Sequence, residues 1–171
     1  MDDLSSWWAW AQTTLIVGLK RLFRPNVVDC SYIGEIGGKI WQSGRLGPWV
    51  KTLPGPLVIV ALNIGDQDER WINHRNIHGL FSVGMRDLPE DRLPDSVLLS
   101  FAYACLQLLN QNINIVIHCA EGLSRSTYLN VTIHCLSNGW SAKQSLEYIR
   151  QSRPLATMNP GFMDQLDYLF P

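Results

Sequence analysis

The sequence predicts an α/β domain, a small central sheet flanked by helices, with one extra helix at the N-terminus. Three observations carry that expectation. Leu57-Val58-Ile59-Val60-Ala61-Leu62 is a continuous apolar run between turn signals, the pattern of a strand covered on both faces. Alternating β-branched residues, Ile113 to Ile117, run into His118-Cys119, a short loop, and a helical stretch opened by Arg125-Ser126. Short strands come first, a strand–helix–strand unit follows, and helices close the chain, an order that layers helices on a sheet.

The first element spans residues 3–24. Leu4, Trp8, Ala11, Leu15, Leu19 and Leu22 recur at helical spacing, with Asp2 and Asp3 before them and Lys20, Arg21 and Arg24 after, matching the macrodipole. Pro25 stops it. Such a helix is expected to pack on the domain that follows; its tryptophans and basic end also suit a membrane surface or self-association. Residues 1–26 thus form an amphipathic helical extension ahead of a domain over 27–171.

Within that domain, small strands are expected at 29–33 and 39–43, broken by Gly34, Gly37 and Gly38. A turn or short helix begins at Gly47, the 57–62 strand follows, then a short helix over 69–76 and a strand over 77–83. Residues 85–95 form a polar loop ending at Asp95, the expected N-cap of a helix with Val97, Phe101, Ala104, Cys105 and Leu108 on one side. A helix over 126–137 closes at Asn138-Gly139, a Ser141/Gln144 capping box opens another, and Pro160 starts a last one through Leu169.

Composition narrows the function. The 171 residues fit one domain with its own core, and 46% hydrophobic against 17% charged residues describes a globular chain. A net charge of −1 supplies no basic field for nucleic acid. Cys30, Cys105, Cys119 and Cys135 show no metal-ligand spacing, and a free thiol at Cys119 suits a reducing cytosol, so a cytoplasmic location is expected, peripheral to a membrane if the helix over 3–24 binds one. No secretory signal is evident, and the apolar run 7–19 is too short to span a bilayer.

The chemistry concentrates at His118-Cys119-x-x-Gly122-x-x-Arg125-Ser126. A strand that turns sharply into a helix aims several backbone N–H groups at one spot, and the helix N-terminus adds partial positive charge. The N–H groups of Ala120, Glu121, Gly122, Leu123, Ser124 and Arg125 are the expected phosphate cradle. Cys119 sits at its mouth, where a thiolate is favoured. Arg125, beyond five intervening residues, can return a bidentate fork to the same anion. Gly122 permits a close or left-handed backbone, Ser126 can donate to the sulfur, and His118 can brace the loop. A sulfur nucleophile below a bound phosphate is the chemistry of a cysteinyl-phosphate intermediate.

This stretch resembles the signature loop of the cysteine-dependent protein tyrosine phosphatase superfamily, and the surrounding chain is similar to its dual-specificity branch. Asp87, thirty-two residues before Cys119, stands where that branch keeps its general acid, and Arg153-Pro154 with Asn159-Pro160-Gly161-Phe162 and Gln165-Leu166 resembles its closing segment. The resemblance covers about residues 27–170. It implies a metal-independent phosphatase without cofactor, in which Cys119 is the nucleophile, Arg125 the phosphate clamp, Ser126 the thiolate-release hydroxyl and Asp87 the acid. Asn159 would orient the loop from behind. Asp91 is second to Asp87, with Glu90 and Asp95 on the same loop.

Glu121 departs from the small or basic residues of many relatives. It should repel polyanionic ligands and oppose the Cys119 thiolate by like-charge proximity. The expected substrate is therefore a phosphoprotein, bearing phosphotyrosine and phosphoserine or phosphothreonine, ahead of a lipid, nucleotide or RNA end. A non-catalytic phosphoprotein-binding module is the remaining alternative.

Overall fold

The computed structural model describes residues 30–63 and 69–171, so the helix expected over 3–24 and its proposed contacts lie outside the described residues. Five strands form one sheet: β1 (Cys30–Ile36), β2 (Gly38–Ser43), β3 (Leu57–Ala61), β4 (Ile77–Ser82) and β5 (Asn114–His118). Their order is β1-β2-β5-β3-β4. Only β1 runs antiparallel, against β2; the pairs β2–β5, β5–β3 and β3–β4 are parallel. The helices are α1 (Glu69–Ile72), α2 (Asp95–Asn110), α3 (Arg125–Asn138), α4 (Ala142–Ser152) and α5 (Pro160–Leu169), with 3-10 turns at Pro48–Thr52 and Pro89–Asp91.

Alternation along the strands divides the core in two. Val58, Val60, Ile115 and Ile117 face the thick layer, where Leu98 and Leu109 of α2, Leu129 and Ile133 of α3, Leu146 and Ile149 of α4 and Phe162 of α5 pack together. Leu57, Ile59 and Val116 face a thin layer built on Val50, Trp71 and Ile77. The predicted sheet between helix layers is therefore present, with the two layers unequal. Both β3 and β5 are buried along their whole lengths, as the unbroken apolar run of β3 requires.

Four local expectations need correction. β1 is not broken at Gly34; the strand continues to Ile36 and absorbs the irregularity as a register shift between Tyr32 and Gly34. The helix expected over 69–76 stops at Ile72, and a turn in which the His74 N–H donates to the Trp71 carbonyl and the Ile77 N–H to the His74 carbonyl leads into β4. Asp95 does not cap α2; Pro94 precedes the helix without a side-chain cap, and the Asp95 carboxylate instead accepts from Gln165 Nε2 on α5. The buried face of α2 is Leu98, Ala102, Cys105, Leu106 and Leu109, one residue round from the expected one, and Val97 is exposed. This helix is apolar on two neighbouring stripes, and the sheet selects between them. The α3 C-terminus at Gly139 (φ 67°) and the Ser141/Gln144 capping box are as expected.

No helix among the described residues is long and apolar enough to cross a membrane. Parallel strands β2, β5 and β3 all end on the same side, and the loop after β5 lies at their carboxyl ends, where α/β sheets hold ligands.

Candidate active site

β5 delivers the loop between its two neighbours. His118, wholly buried, accepts at its carbonyl from the Leu62 N–H (2.9 Å), while the Cys119 N–H donates to the carbonyl of Ser43, the last residue of β2 (3.3 Å). The chain then turns so tightly that Gly122 takes φ 68°, and a Cβ there would stand 2.3 Å from Gly44 N and 2.4 Å from the Ser43 carbonyl carbon. Only glycine fits. The Gly122 N–H donates to Cys119 Sγ at 3.2 Å, and Ser126 Oγ lies 3.5 Å from the same sulfur. Cys119 is 1% exposed, so its sulfur forms a sheltered floor beneath the loop.

Carbonyl directions reveal where the N–H groups point, because the two ends of a trans peptide are opposed. The Ala120 carbonyl accepts from the Arg45 N–H (3.3 Å), outside the loop. Arg153 Nη2 reaches the Glu121 carbonyl at 3.5 Å. The Gly122 carbonyl accepts from both Arg153 Nε (2.6 Å) and Gln42 Nε2 (3.1 Å). The Leu123 carbonyl accepts from the Thr127 hydroxyl and from the Thr157 N–H (3.2 Å). With these carbonyls held outward, the N–H groups of residues 121–124 turn inward.

Arg125 is the first residue of α3, and its Nη1 donates to the carbonyls of Met85 (2.9 Å) and Leu62 (3.2 Å). That anchorage holds the guanidinium beside the cradle, and its Nε lies 4.0 Å from Asp87 Oδ2. Asp87 Oδ1 accepts from Ser124 Oγ (2.6 Å) and Asn159 Nδ2 (2.8 Å). Asn159 also caps α5 by accepting from the Phe162 N–H (3.1 Å), and its own N–H donates to Ser124 Oγ (3.2 Å). It therefore contacts Asp87 and the edge of the loop together. Asp91 is taken by Arg86, whose Nη2 donates at 2.9 Å, and Asp95 by Gln165. Of the carboxylates on that loop, Asp87 is the one hydrogen-bonded to the signature loop.

Cys119, Ser126, Arg125, Asp87, Ser124 and Asn159 are thus brought together, with Gly122 shaping the turn. Sequence reasoning missed the groups behind the loop. Gln42 is wholly buried in β2, donates to Thr127 Oγ1 (2.8 Å) as well as to Gly122, and accepts from Asn130 Nδ2 (2.7 Å). A glutamine inside an otherwise covered strand was the available signal, since a buried amide must find partners. Arg153 was visible only as part of the closing segment, with no role at the loop assigned to it. The other buried thiols are poor rivals to Cys119: burial pushes Cys105 up to about 12 and raises Cys135. Among the described residues, no three His, Cys, Asp or Glu side chains gather where they could hold a metal ion.

Solved structures with this architecture include a mouse putative dual specificity phosphatase complexed with zinc tungstate, which superposes with a TM-score of 0.69 at 16% identity, over 84% of this chain and 87% of that one. PTPMT1 in complex with PI(5)P superposes at 0.68 and 12% identity, over 82% and 94%. At such identities the likeness is one of fold. In sequence, the profile described as "Dual specificity phosphatase, catalytic domain" matches residues 60–169. Mouse dual specificity protein phosphatase 15 is 41% identical over 54 residues, 32% of this chain and only 23% of that protein's length. The chain belongs to the dual-specificity phosphatase family, within the cysteine-dependent protein tyrosine phosphatase superfamily.

Proposed function

We propose that the protein hydrolyses phosphomonoesters on proteins, phosphotyrosine and phosphoserine or phosphothreonine, through a cysteinyl-phosphate intermediate. The observation that carries this reading is the sulfur of Cys119 lying under inward-turned N–H groups, with Ser126 and the loop-borne Asp87 at the same loop.

The Cys119 thiolate attacks phosphorus, forming the S–P bond as the ester P–O bond breaks, and Asp87 protonates the departing oxygen. Asp87 Oδ2, the oxygen not engaged by Ser124 or Asn159, is the one to carry that proton. Water then attacks the phosphocysteine, Asp87 takes its proton, and phosphate leaves as the thiolate returns. The hydroxyl of Ser126 stabilises the sulfur as it departs. Cradle N–H groups and Arg125 match the charge on the phosphoryl oxygens, which is where most of the stabilisation in phosphoryl transfer arises.

Glu121 on the loop supports a protein phosphomonoester over a polyanionic headgroup or an RNA end, since an added carboxylate repels extra phosphates. An aryl phosphate assayed with EDTA present tests the mechanism. Cys119→Ser should fall to background, and Asp87→Asn should lose about 10²–10⁴-fold, the usual worth of a general acid. Full activity in Cys119→Ser would reject the mechanism. A preference for a phosphoinositide over phosphopeptides would reject the substrate assignment alone.

A further inference from the structure

We propose that Arg153, assisted by Gln42, is a positioning residue that makes the Cys119 loop selective for anions; the inference rests on the phosphatase reading of that loop. Two observations meet here. Arg153 is 6% exposed, yet its guanidinium is spent on backbone carbonyls: Nε on Gly122, Nη2 on Glu121, with Nη1 on Ser31 Oγ (3.2 Å). The peptide whose carbonyl Nη2 reaches is the one whose N–H donates to Cys119 Sγ.

The geometry acts through the peptide planes. One guanidinium edge addresses two successive carbonyls, so the Gly122 and Leu123 N–H groups are turned the other way, toward the sulfur and the anion above it. Gln42 fills the second lone pair of the Gly122 carbonyl, which leaves that peptide plane no low-energy flip. Both donors are fixed in turn. Gln42 is oriented by Asn130 and Thr127, and the Arg153 backbone is held by its own N–H to Ile149 and by the Ala156 N–H to its carbonyl. A cation behind the peptides also reinforces dipoles whose positive ends face the ligand. Arg153 touches neither sulfur nor substrate; it acts through Glu121 and Gly122.

The test uses the full chain and two alkylating reagents, anionic iodoacetate and neutral iodoacetamide, with modification followed at the Cys119 peptide by mass spectrometry. Both reagents consume the same thiolate, so the ratio of their rates, normalised to glutathione, reports attraction for an anion and is blind to global stability. Wild type should prefer iodoacetate, and Arg153→Met should lose about fivefold or more of that preference, with inorganic phosphate inhibiting correspondingly less. Arg153→Lys, which keeps the charge but cannot serve two carbonyls from one plane, should recover part of it. Should Arg153→Met fail to fold, Arg153→Lys and Gln42→Met decide by the same ratio. Variants with the wild-type ratio and wild-type phosphate inhibition would overturn the inference while leaving the phosphatase reading intact. A wild type with no anion preference and no aryl phosphate hydrolysis would overturn both.

Discussion

Asp87 and Asp91 sit on the same acidic loop, and what distinguishes them is the partner each carboxylate has. Arg86 holds Asp91 on the surface, whereas Ser124 and Asn159 hold Asp87 against the signature loop. Asp91→Asn should therefore leave kcat/KM within about threefold of wild type, because an exposed pair contributes little. A loss as large as that of Asp87→Asn, measured side by side on one aryl phosphate, would reverse the assignment. At this scale the sequence was readable where one residue has one local duty, as with Gly122, where a φ of 68° and the backbone of Ser43 and Gly44 leave no room for a side chain. It was unreadable where a duty is long-range: nothing near Arg153 or Gln42 in the chain hints at the Gly122 carbonyl, 31 and 80 residues away.

Elements show the same division. The strand pattern over β3 and β5 and the caps of α3 and α4 follow from adjacent residues, and they lie where expected. The face of α2 does not, because two apolar stripes compete and only the packed sheet decides. Docking of α5 depends on a small residue. A Cβ on Gly161 would meet the Pro89 carbonyl oxygen at 2.1 Å and its carbon at 2.7 Å, so the helix start presses directly on the turn that follows Asp87. Gly161→Ala should cost about 1–3 kcal/mol in urea unfolding, as overpacking against backbone does. It should also lower kcat more than it raises KM, since the turn moves away from Asn159 and carries Asp87, the proposed acid, with it. An unchanged kcat in a destabilised variant would separate the turn from the acid's placement.

For the molecule as a whole, the packed α3–α4 interface carries an acid sensitivity. His134 is buried beside Trp140 and Tyr148, and burial lowers it from 6.5 to about 4. The fold thus favours neutral imidazole. Its stabilising effect is complete above about pH 6.5 and lost as pH falls toward about 4, because the unfolded chain binds the proton first. Urea midpoints at about pH 7 and about pH 5 should fall by a smaller margin in His134→Phe than in wild type. Equal margins would assign the acid sensitivity to other groups.

The wall behind Gly122 has a consequence for dissecting the protein. Ser43 and Gly44 stand where its Cβ would be, and Gln42 grips its carbonyl, yet all three precede the stretch matched by the family profile. A fragment cut at Leu57 would retain Cys119, Arg125 and Asp87, but the ring of amides would lose the strand it is moulded against. A fragment meant to keep that ring of amides in shape must begin upstream of β2, however little of that region the family profile registers.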